Sequence, residues 1–223
     1  MNIREYPDRE MLYLSLANVI AGQLGDFLRR EGRATFSVPG GTTPGPVFDT
    51  LAGVSLDWAQ VAVILNDERW VPEDSPRSNT RLLRDRLLVG PAAAAHLVPM
   101  YAPTDTPEES LEALAAGIAP HLPISVLLLG MGADMHTASL FPGADRLAEA
   151  LSPKAPVLMA LRAEAAGEPR ITLTLPVLRA AMHIHILITG AEKRAALERA
   201  QGLAPDVAPV RGILDNATIH WAE

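Results

Sequence analysis

Asp134 and His136 stand two residues apart within residues 130–143, whose sequence is GMGADMHTASLFPG. An apolar run over residues 124–129 precedes them, and an apolar run bounded by a proline and a glycine is typical of a buried strand. An apolar core rarely contains a carboxylate and an imidazole, because burying polar groups is unfavourable, so their presence at the end of a strand indicates a site. Both groups can transfer protons. From position alone, His136 could also be a histidine that only caps or hydrogen-bonds the start of a helix.

The same loop lacks the patterns of several well-known sites. Met135 stands where a GxGxxG dinucleotide-binding motif needs its third glycine, and the chain contains no GxxxxGK[ST] motif. Ser139 lacks the flanking glycines of a hydrolase nucleophile elbow, and the chain has no cysteine, so covalent catalysis is disfavoured. We interpret His183, His185 and His220 as structural, and we find no group of residues with the spacing of a metal site.

Three further polar clusters directly follow predicted strands. PGGTTP follows residues 35–38, NDER follows residues 61–65, and TGAEK begins at the last residue of 183–189. A glycine–threonine turn at a helix start can cradle a phosphate with its backbone N–H groups, although such a turn is more often only a turn. A lysine in the first turn of a helix opposes the helix dipole unless an anion lies nearby. Because ligands bind at the carboxyl ends of parallel strands, we expect all four clusters to share one pocket.

Helices and strands alternate along the chain, which predicts an α/β fold with a doubly wound, mainly parallel sheet and helices on both faces. Asp8 can cap a helix that runs to about Arg30, residues 107–121 are expected to form an amphipathic helix, and residues 157–161 a further strand. No repeat or change of composition marks a boundary, so residues 1–223 are expected to form a single domain.

The composition narrows the class of protein. Hydrophobic residues make up 48% of the chain and charged residues 20%, which is typical of a soluble globular protein. A net charge of −7 argues against broad nucleic-acid binding, which needs a basic surface. The first residues lack a signal-peptide pattern, and no apolar run approaches the ~20 residues of a membrane span. We therefore expect a cytoplasmic protein that binds neither nucleic acid nor membrane.

Residues 130–143 closely resemble the signature of the 6-phosphogluconolactonase family, GMGxDGHTASLFPG, in which a glycine stands at the position of Met135. PGGTTP resembles the family's SGGTTP with Pro39 in place of serine, and DERWVP, the RITLT segment that begins at Arg170, and TGAEK resemble three more of its motifs. Related glucosamine-6-phosphate isomerases share the glycine turn, the aspartate and the histidine but differ beyond the histidine. The SLFPG ending favours the lactonase branch, and the resemblance extends over most of residues 8–221.

The resemblance implies hydrolysis of 6-phospho-D-glucono-1,5-lactone to 6-phospho-D-gluconate in the oxidative pentose phosphate pathway, on a Rossmann-like fold of the sugar-phosphate isomerase type and without a cofactor or metal. His136 is then the base that activates water, since a free imidazole titrates at ~6.5, and Asp134 either orients it or braces the loop. Backbone N–H groups around Gly130 and Gly132 are expected to stabilise the oxyanion. The residues expected to bind the phosphate and the lactone are Gly40, Gly41, Thr42, Thr43, Arg69, Gly130, Gly132, Arg170 and Lys193.

Two other functions stay open at the level of the sequence. One is isomerisation and deamination of an amino-sugar phosphate, with His136 acting on the ring oxygen, and the other is non-catalytic sensing of a sugar phosphate. In each case the partner is a small-molecule sugar phosphate, and we expect a monomer or a small homo-oligomer. At Met135, where the family has glycine, we expect ordinary backbone dihedrals and a side chain that points away from the pocket.

Overall fold

The computed structural model describes residues 1–223 and contains two β-sheets. The strands are β1 (Asn2–Glu5), β2 (Ala34–Val38), β3 (Val61–Leu65), β4 (Asp67–Arg69), β5 (His96–Leu97), β6 (Val126–Gly130), β7 (Leu158–Leu161), β8 (Arg170–Leu173), β9 (His183–Thr189) and β10 (Ala217–Ala222). A seven-stranded sheet has the order β1-β10-β9-β6-β2-β3-β5, and all its neighbouring strands are parallel. The predicted α/β fold with a mainly parallel sheet is confirmed.

The order of the strands creates a crevice between β2 and β6. From β2 the chain continues outward to β3 and β5, and it then returns to β6 on the other side of β2, from where β9 and β10 follow outward. Ligands of open α/β sheets bind at such a reversal, outside the carboxyl ends of the strands. The connecting helices are α1 (Arg9–Glu31), α2 (Gly45–Ala52), α3 (Asn79–Arg86), α4 (Leu111–Ile118), α5 (Leu147–Leu151), α6 (Leu175–Arg179) and α7 (Ala191–Ala200).

The predicted first helix is confirmed in α1. The Asp8 carboxylate accepts a hydrogen bond from the backbone N–H of Met11 at 2.8 Å, and the helix ends at Gly32, whose φ is +69°. By length and composition alone α1 is apolar enough to cross a membrane, which corrects our expectation that no segment is. The fully buried residues of its apolar face include Leu12, Leu16, Ile20 and Leu24. The helix packs against α2, β2 and β10, so this face covers the sheet.

The central strands are buried along almost their whole length, as a sheet covered on both faces requires. Continuous apolar sequences such as VAVIL in β3 supply residues for both faces. The strands predicted at residues 61–65 and 183–189 coincide with β3 and β9, and those predicted at 35–38 and 124–129 match β2 and β6 to within two residues.

Three parts of the architecture differ from the prediction. The strand predicted at residues 157–161 is β7, which pairs with β8 in a small antiparallel sheet of order β4-β8-β7 rather than in the main sheet. Residues 107–121 are not one helix, because 3₁₀ turns at Pro107–Ser110 and Ala119–His121 flank α4. β1 was not predicted, and it extends the main sheet by pairing with β10.

Candidate active site

A cleft of about 280 Å³ lies at the carboxyl ends of β2, β3, β6 and β9. The four polar clusters meet there, as their positions after predicted strands led us to expect. The predicted site residues that line the cleft are Gly40, Gly41, Thr42, Thr43, Arg69, Gly130, Gly132, His136, Arg170 and Lys193. Asp134 does not line it but contacts His136 from behind.

His136 and Asp134 form a hydrogen-bonded pair, in which His136 Nδ1 lies 2.5 Å from Asp134 Oδ1. The backbone N–H of His136 donates to the same oxygen at 3.2 Å. When Nδ1–H is donated to the carboxylate, Nε2 of the neutral ring carries the lone pair that can accept a proton. Burial raises the pKa of the Asp134 carboxyl, but the hydrogen bond with His136 and its charge outweigh burial and hold that pKa below its usual value. The carboxylate therefore stays ionised near neutral pH.

A tight turn brings His136 back to Asp134, and it overturns our expectation for Met135. The backbone N–H of Met135 donates to the Gly132 carbonyl oxygen, and Gly132 N–H donates to the His136 carbonyl oxygen, both at 3.0 Å. Met135 has a φ of +67° in this turn, so the prediction of ordinary dihedrals is wrong. A left-handed conformation costs a non-glycine residue about 1–2 kcal/mol. The Met135 side chain packs against the hydrophobic core and does not line the cleft.

Gly132 leaves room for the His136–Asp134 hydrogen bond because it has no side chain. A Cβ atom at Gly132 would clash with both His136 Nδ1 and Asp134 Oδ1, so the pair can close only over a glycine. Because the Gly132 N–H is donated within the turn, it is not free for an oxyanion, and the oxyanion role expected of Gly132 is wrong. Gly130 ends β6, and its carbonyl oxygen accepts a hydrogen bond from Thr137 Oγ1 at 2.9 Å, which ties the loop to the strand.

The PGGTTP loop presents free backbone donors to the cleft. The N–H groups of Gly41, Thr42 and Thr43 are not donated to any other backbone group, and they directly precede α2. Such groups at a helix start suit an anion. Gly41 has a φ of +83°, which favours glycine, and a Cβ atom at Gly40 would clash with the side-chain amide of Asn79.

Arg69 and Arg170 lie directly opposite each other on β4 and β8. Like charges in that position repel, and the Nε atom of each is buried without a hydrogen-bond partner. Asp67 Oδ2 lies 3.8 Å from Arg170 Nη1 and accepts a hydrogen bond from Ser139 Oγ at 2.6 Å. Burial lowers the pKa of Arg170, and the Asp67 carboxylate opposes that shift. An anion bound beside the two guanidinium groups would compensate their charge.

Lys193 adds a third cation to the cleft from the first turn of α7. Burial lowers the pKa of its ammonium group, while the carboxylates of Glu192 and Asp134 act in the opposite direction. Because α7 follows β9, which pairs with β6, Lys193 lies on the side of the cleft where β6 leads into the loop that carries His136.

Several residues of the site were not among those predicted. Asn79 and Phe141 line the cleft. Phe141 belongs to the SLFPG segment, but an amide and a phenyl ring gave no chemical reason to select either residue. Glu68 is fully buried and structural, since its carboxylate accepts hydrogen bonds at the N-terminus of α3. Its donors are the backbone N–H groups of Arg69, Asn79 and Thr80 and the hydroxyl of Ser78.

A larger cavity of about 410 Å³ lies near the opposite, amino ends of β2, β3 and β6. Arg33, His96 and His121 line it, but none of the four polar clusters reaches it. The larger cavity therefore lacks the groups expected of an active site. The smaller cleft is the candidate active site, because His136 and the cations Arg69, Arg170 and Lys193 line it.

Residues 7–221 match the family described as glucosamine-6-phosphate isomerases/6-phosphogluconolactonase. The 6-phosphogluconolactonase of Rhizobium meliloti is 39% identical over 229 residues, which cover 99% of this chain and 98% of that protein. The 6-phosphogluconolactonase of Mesorhizobium japonicum is 40% identical over 227 residues, which cover 99% of this chain and 95% of that protein.

Solved structures agree with the sequence relatives. A 6-phosphogluconolactonase from Shewanella baltica has a TM-score of 0.96 at 30% identity, with 100% of this chain and 98% of that chain covered. A monomeric glucosamine-6-phosphate deaminase has a TM-score of 0.82, with 100% and 98% covered, but only 17% identity. The second likeness is one of fold alone.

Proposed function

The chain belongs to the glucosamine-6-phosphate isomerase/6-phosphogluconolactonase family, and on that basis we propose that it hydrolyses 6-phospho-D-glucono-1,5-lactone to 6-phospho-D-gluconate in the oxidative pentose phosphate pathway. One observation carries the proposal beyond the family: the cleft is lined by His136, which is hydrogen-bonded to Asp134, and by the facing arginines Arg69 and Arg170. A base and an anion site in one cleft suit a phosphorylated ester.

His136 acts as the general base in the proposed reaction. Its Nε2 takes a proton from water as the water oxygen attacks the lactone carbonyl carbon. The tetrahedral oxyanion then collapses, the ring C–O bond breaks, and the ring oxygen receives the proton from His136. Asp134 accepts the Nδ1–H hydrogen bond, so it holds the imidazole in the tautomer that leaves Nε2 free. Ser139 is excluded as a nucleophile, because it is fully buried and donates its hydroxyl to Asp67.

The phosphate is bound by Arg69 and Arg170, with Lys193 and the N–H groups of the PGGTTP loop adding positive potential. Both arginines line the cleft, and planar guanidinium groups suit bidentate contact with phosphate. Water is the only co-substrate that this reaction requires. We propose a soluble cytoplasmic enzyme that acts on a small-molecule sugar phosphate as a monomer or a small homo-oligomer.

The test is a direct assay of the purified protein with freshly prepared 6-phosphogluconolactone, in parallel with glucosamine 6-phosphate. We expect lactone hydrolysis well above the spontaneous rate and no turnover of the amino sugar. The reverse preference would favour the isomerase branch, and binding without turnover of either compound would favour a sensor.

His136→Ala tests the mechanism in the same assay. The substitution should lower kcat by ~10²–10⁴-fold, the usual contribution of a positioned base, with a smaller change in KM. His183→Ala is the matched control, because His183 is exposed at the amino end of β9, away from the cleft. Turnover close to that of the wild type in His136→Ala would remove His136 from the mechanism.

A further inference from the structure

Phe141 contacts the candidate base and one of the facing arginines at the same time. The centroid of its ring lies 4.2 Å from that of the His136 imidazole, with 31° between the planes. The Cζ atom of Arg170 lies 5.6 Å from the Phe141 centroid, over the ring. Close contacts between tilted aromatic rings and cation–π contacts are attractive and depend on orientation.

The backbone holds Phe141 in place by a turn that has little freedom. Leu140 N–H donates to the Thr137 carbonyl oxygen at 3.0 Å, and Ala138 has a φ of +50°. Ser139 is fastened below, since its hydroxyl donates to Asp67 at 2.6 Å and its N–H donates to Thr172 Oγ1 at 3.2 Å. Phe141 follows this turn with only 7% of its surface exposed.

The His136–Asp134 hydrogen bond does not by itself fix the plane of the imidazole. It restrains the ring only as firmly as its acceptor is held, and the Asp134 side chain is 45% exposed. Rotation of the ring about its Cβ–Cγ bond, with the Asp134 carboxylate following Nδ1, would move Nε2 relative to the attacking water. A misplacement of about 1 Å in a reacting group can cost ~10²-fold in rate, so a second contact that fixes the plane matters for kcat.

We propose that Phe141 is a positioning residue for the hydrolysis: its ring fixes the plane of the His136 imidazole and keeps Arg170 in register with it. The inference rests on the proposed lactonase function. In this proposal Phe141 does not contact the reacting atoms, and removal of its ring lowers kcat.

Steady-state kinetics of Phe141→Leu and Phe141→Tyr on 6-phosphogluconolactone test the proposal. Phe141→Leu should lower kcat by about 10–100-fold with KM changed by less than about threefold, and Phe141→Tyr, which keeps the ring, should recover kcat to within about threefold of the wild type. Phe27→Leu is the matched control, because Phe27 makes an edge-to-face pair with His183 at 5.9 Å away from the cleft and should not change kcat. If Phe141→Leu does not fold, Phe141→Met removes the ring at similar volume and decides in its place.

A double substitution separates positioning from a general loss of structure. If Phe141 acts through His136, adding Phe141→Leu to His136→Ala should cause almost no further loss of kcat. A kcat of Phe141→Leu within threefold of the wild type, an effect on KM alone, or a full further loss in the double variant would overturn the inference. If the wild-type protein does not hydrolyse the lactone, the proposed function itself fails, which is a separate outcome.

Discussion

Replacing His220 with glutamine should make the stability of this protein less sensitive to acid. His185 and His220 lie on β9 and β10, are only 4% and 0% exposed, and join through His185 Nδ1 and His220 Nε2 at 3.0 Å. His185 Nε2 lies 2.8 Å from Gln23 Oε1, and His220 Nδ1 lies 2.8 Å from Tyr6 Oη. The Gln23 oxygen can only accept, so His185 must accept from His220, and His220 must accept from Tyr6. Each imidazole has to be neutral, because a protonated ring has no acceptor.

The size of the effect follows from the pKa values. Burial, followed by the charges of His183 and Arg4, lowers the pKa of His185 to about 4. Burial, His185 and Arg4 lower the pKa of His220 to about 3. Both folded-state pKa values lie below the unfolded value of ~6.5. Between the folded and unfolded pKa values the unfolded chain binds more protons than the folded chain, so the free energy of unfolding decreases as the pH falls below ~6.5. Each histidine contributes ~1.4 kcal/mol per pH unit, and the fall from pH 6.5 to pH 5 removes ~2 kcal/mol for each.

Urea unfolding at pH 7, 6 and 5 measures this dependence directly. A combined loss of ~4 kcal/mol is large against a typical total of about 5–15 kcal/mol. Glutamine at position 220 retains one donor and one acceptor but cannot titrate. The pH dependence of the free energy of unfolding should therefore be smaller in His220→Gln than in the wild type, by ~1.4 kcal/mol per pH unit. His96→Gln is the control and should follow the wild type, because His96 is exposed on β5, at the edge of the main sheet far from β9 and β10. Parallel pH dependence of the wild type and His220→Gln would refute the reasoning.

The remaining predictions concern the cleft. Met135→Gly should be more stable than Met135→Ala by ~1 kcal/mol, because only glycine adopts a φ of +67° without strain; in a loop with ordinary dihedrals, thermal melting would give the opposite order. Arg69→Ala and Lys193→Ala should raise KM for the phosphorylated lactone by ~10–100-fold with little change in kcat, as expected for contacts made equally in the ground and transition states. Non-phosphorylated gluconolactone should be a poor substrate that loses little more in either variant, and equal losses on the two lactones would mean that these residues do not recognise phosphate.

The main sheet could be predicted because each of its central strands is marked by a pattern within its own short stretch of sequence. An apolar run of five residues between turn residues, as in β3, identifies a strand wherever its partners lie, and polar clusters after such strands must gather at one edge of the sheet. The small antiparallel sheet could not be predicted in this way. β4 is only the sequence DER, and its three residues are a strand because β8, a hundred residues later in the chain, pairs with them. Pairing partners at that separation leave no local periodicity.

The signature loop shows the same limit on a smaller scale. The types of Asp134 and His136 were enough to predict a site, but the backbone between them depends on the closure of the turn through hydrogen bonds of Gly132. That closure imposes the positive φ at Met135 and removes the Gly132 N–H from the donors available for an oxyanion. Neither consequence follows from residue propensities, since methionine has no preference for a left-handed conformation.

The charged run in β4 shows how a fold gives similar residues different tasks. Successive side chains of a strand point to opposite faces, so Asp67 and Arg69 line the cleft while Glu68, between them, points away and binds the N-terminus of α3. Asp67 then moderates the charge of Arg170, whereas Glu68 braces the segment that carries Arg69. The side chains of Asp67 and Glu68 differ by one methylene group. Their different roles result from the alternation of side chains along the strand. Once β4 is paired with β8, Asp67 and Arg69 therefore form one wall of the anion site, and Glu68 supports that wall from the other face.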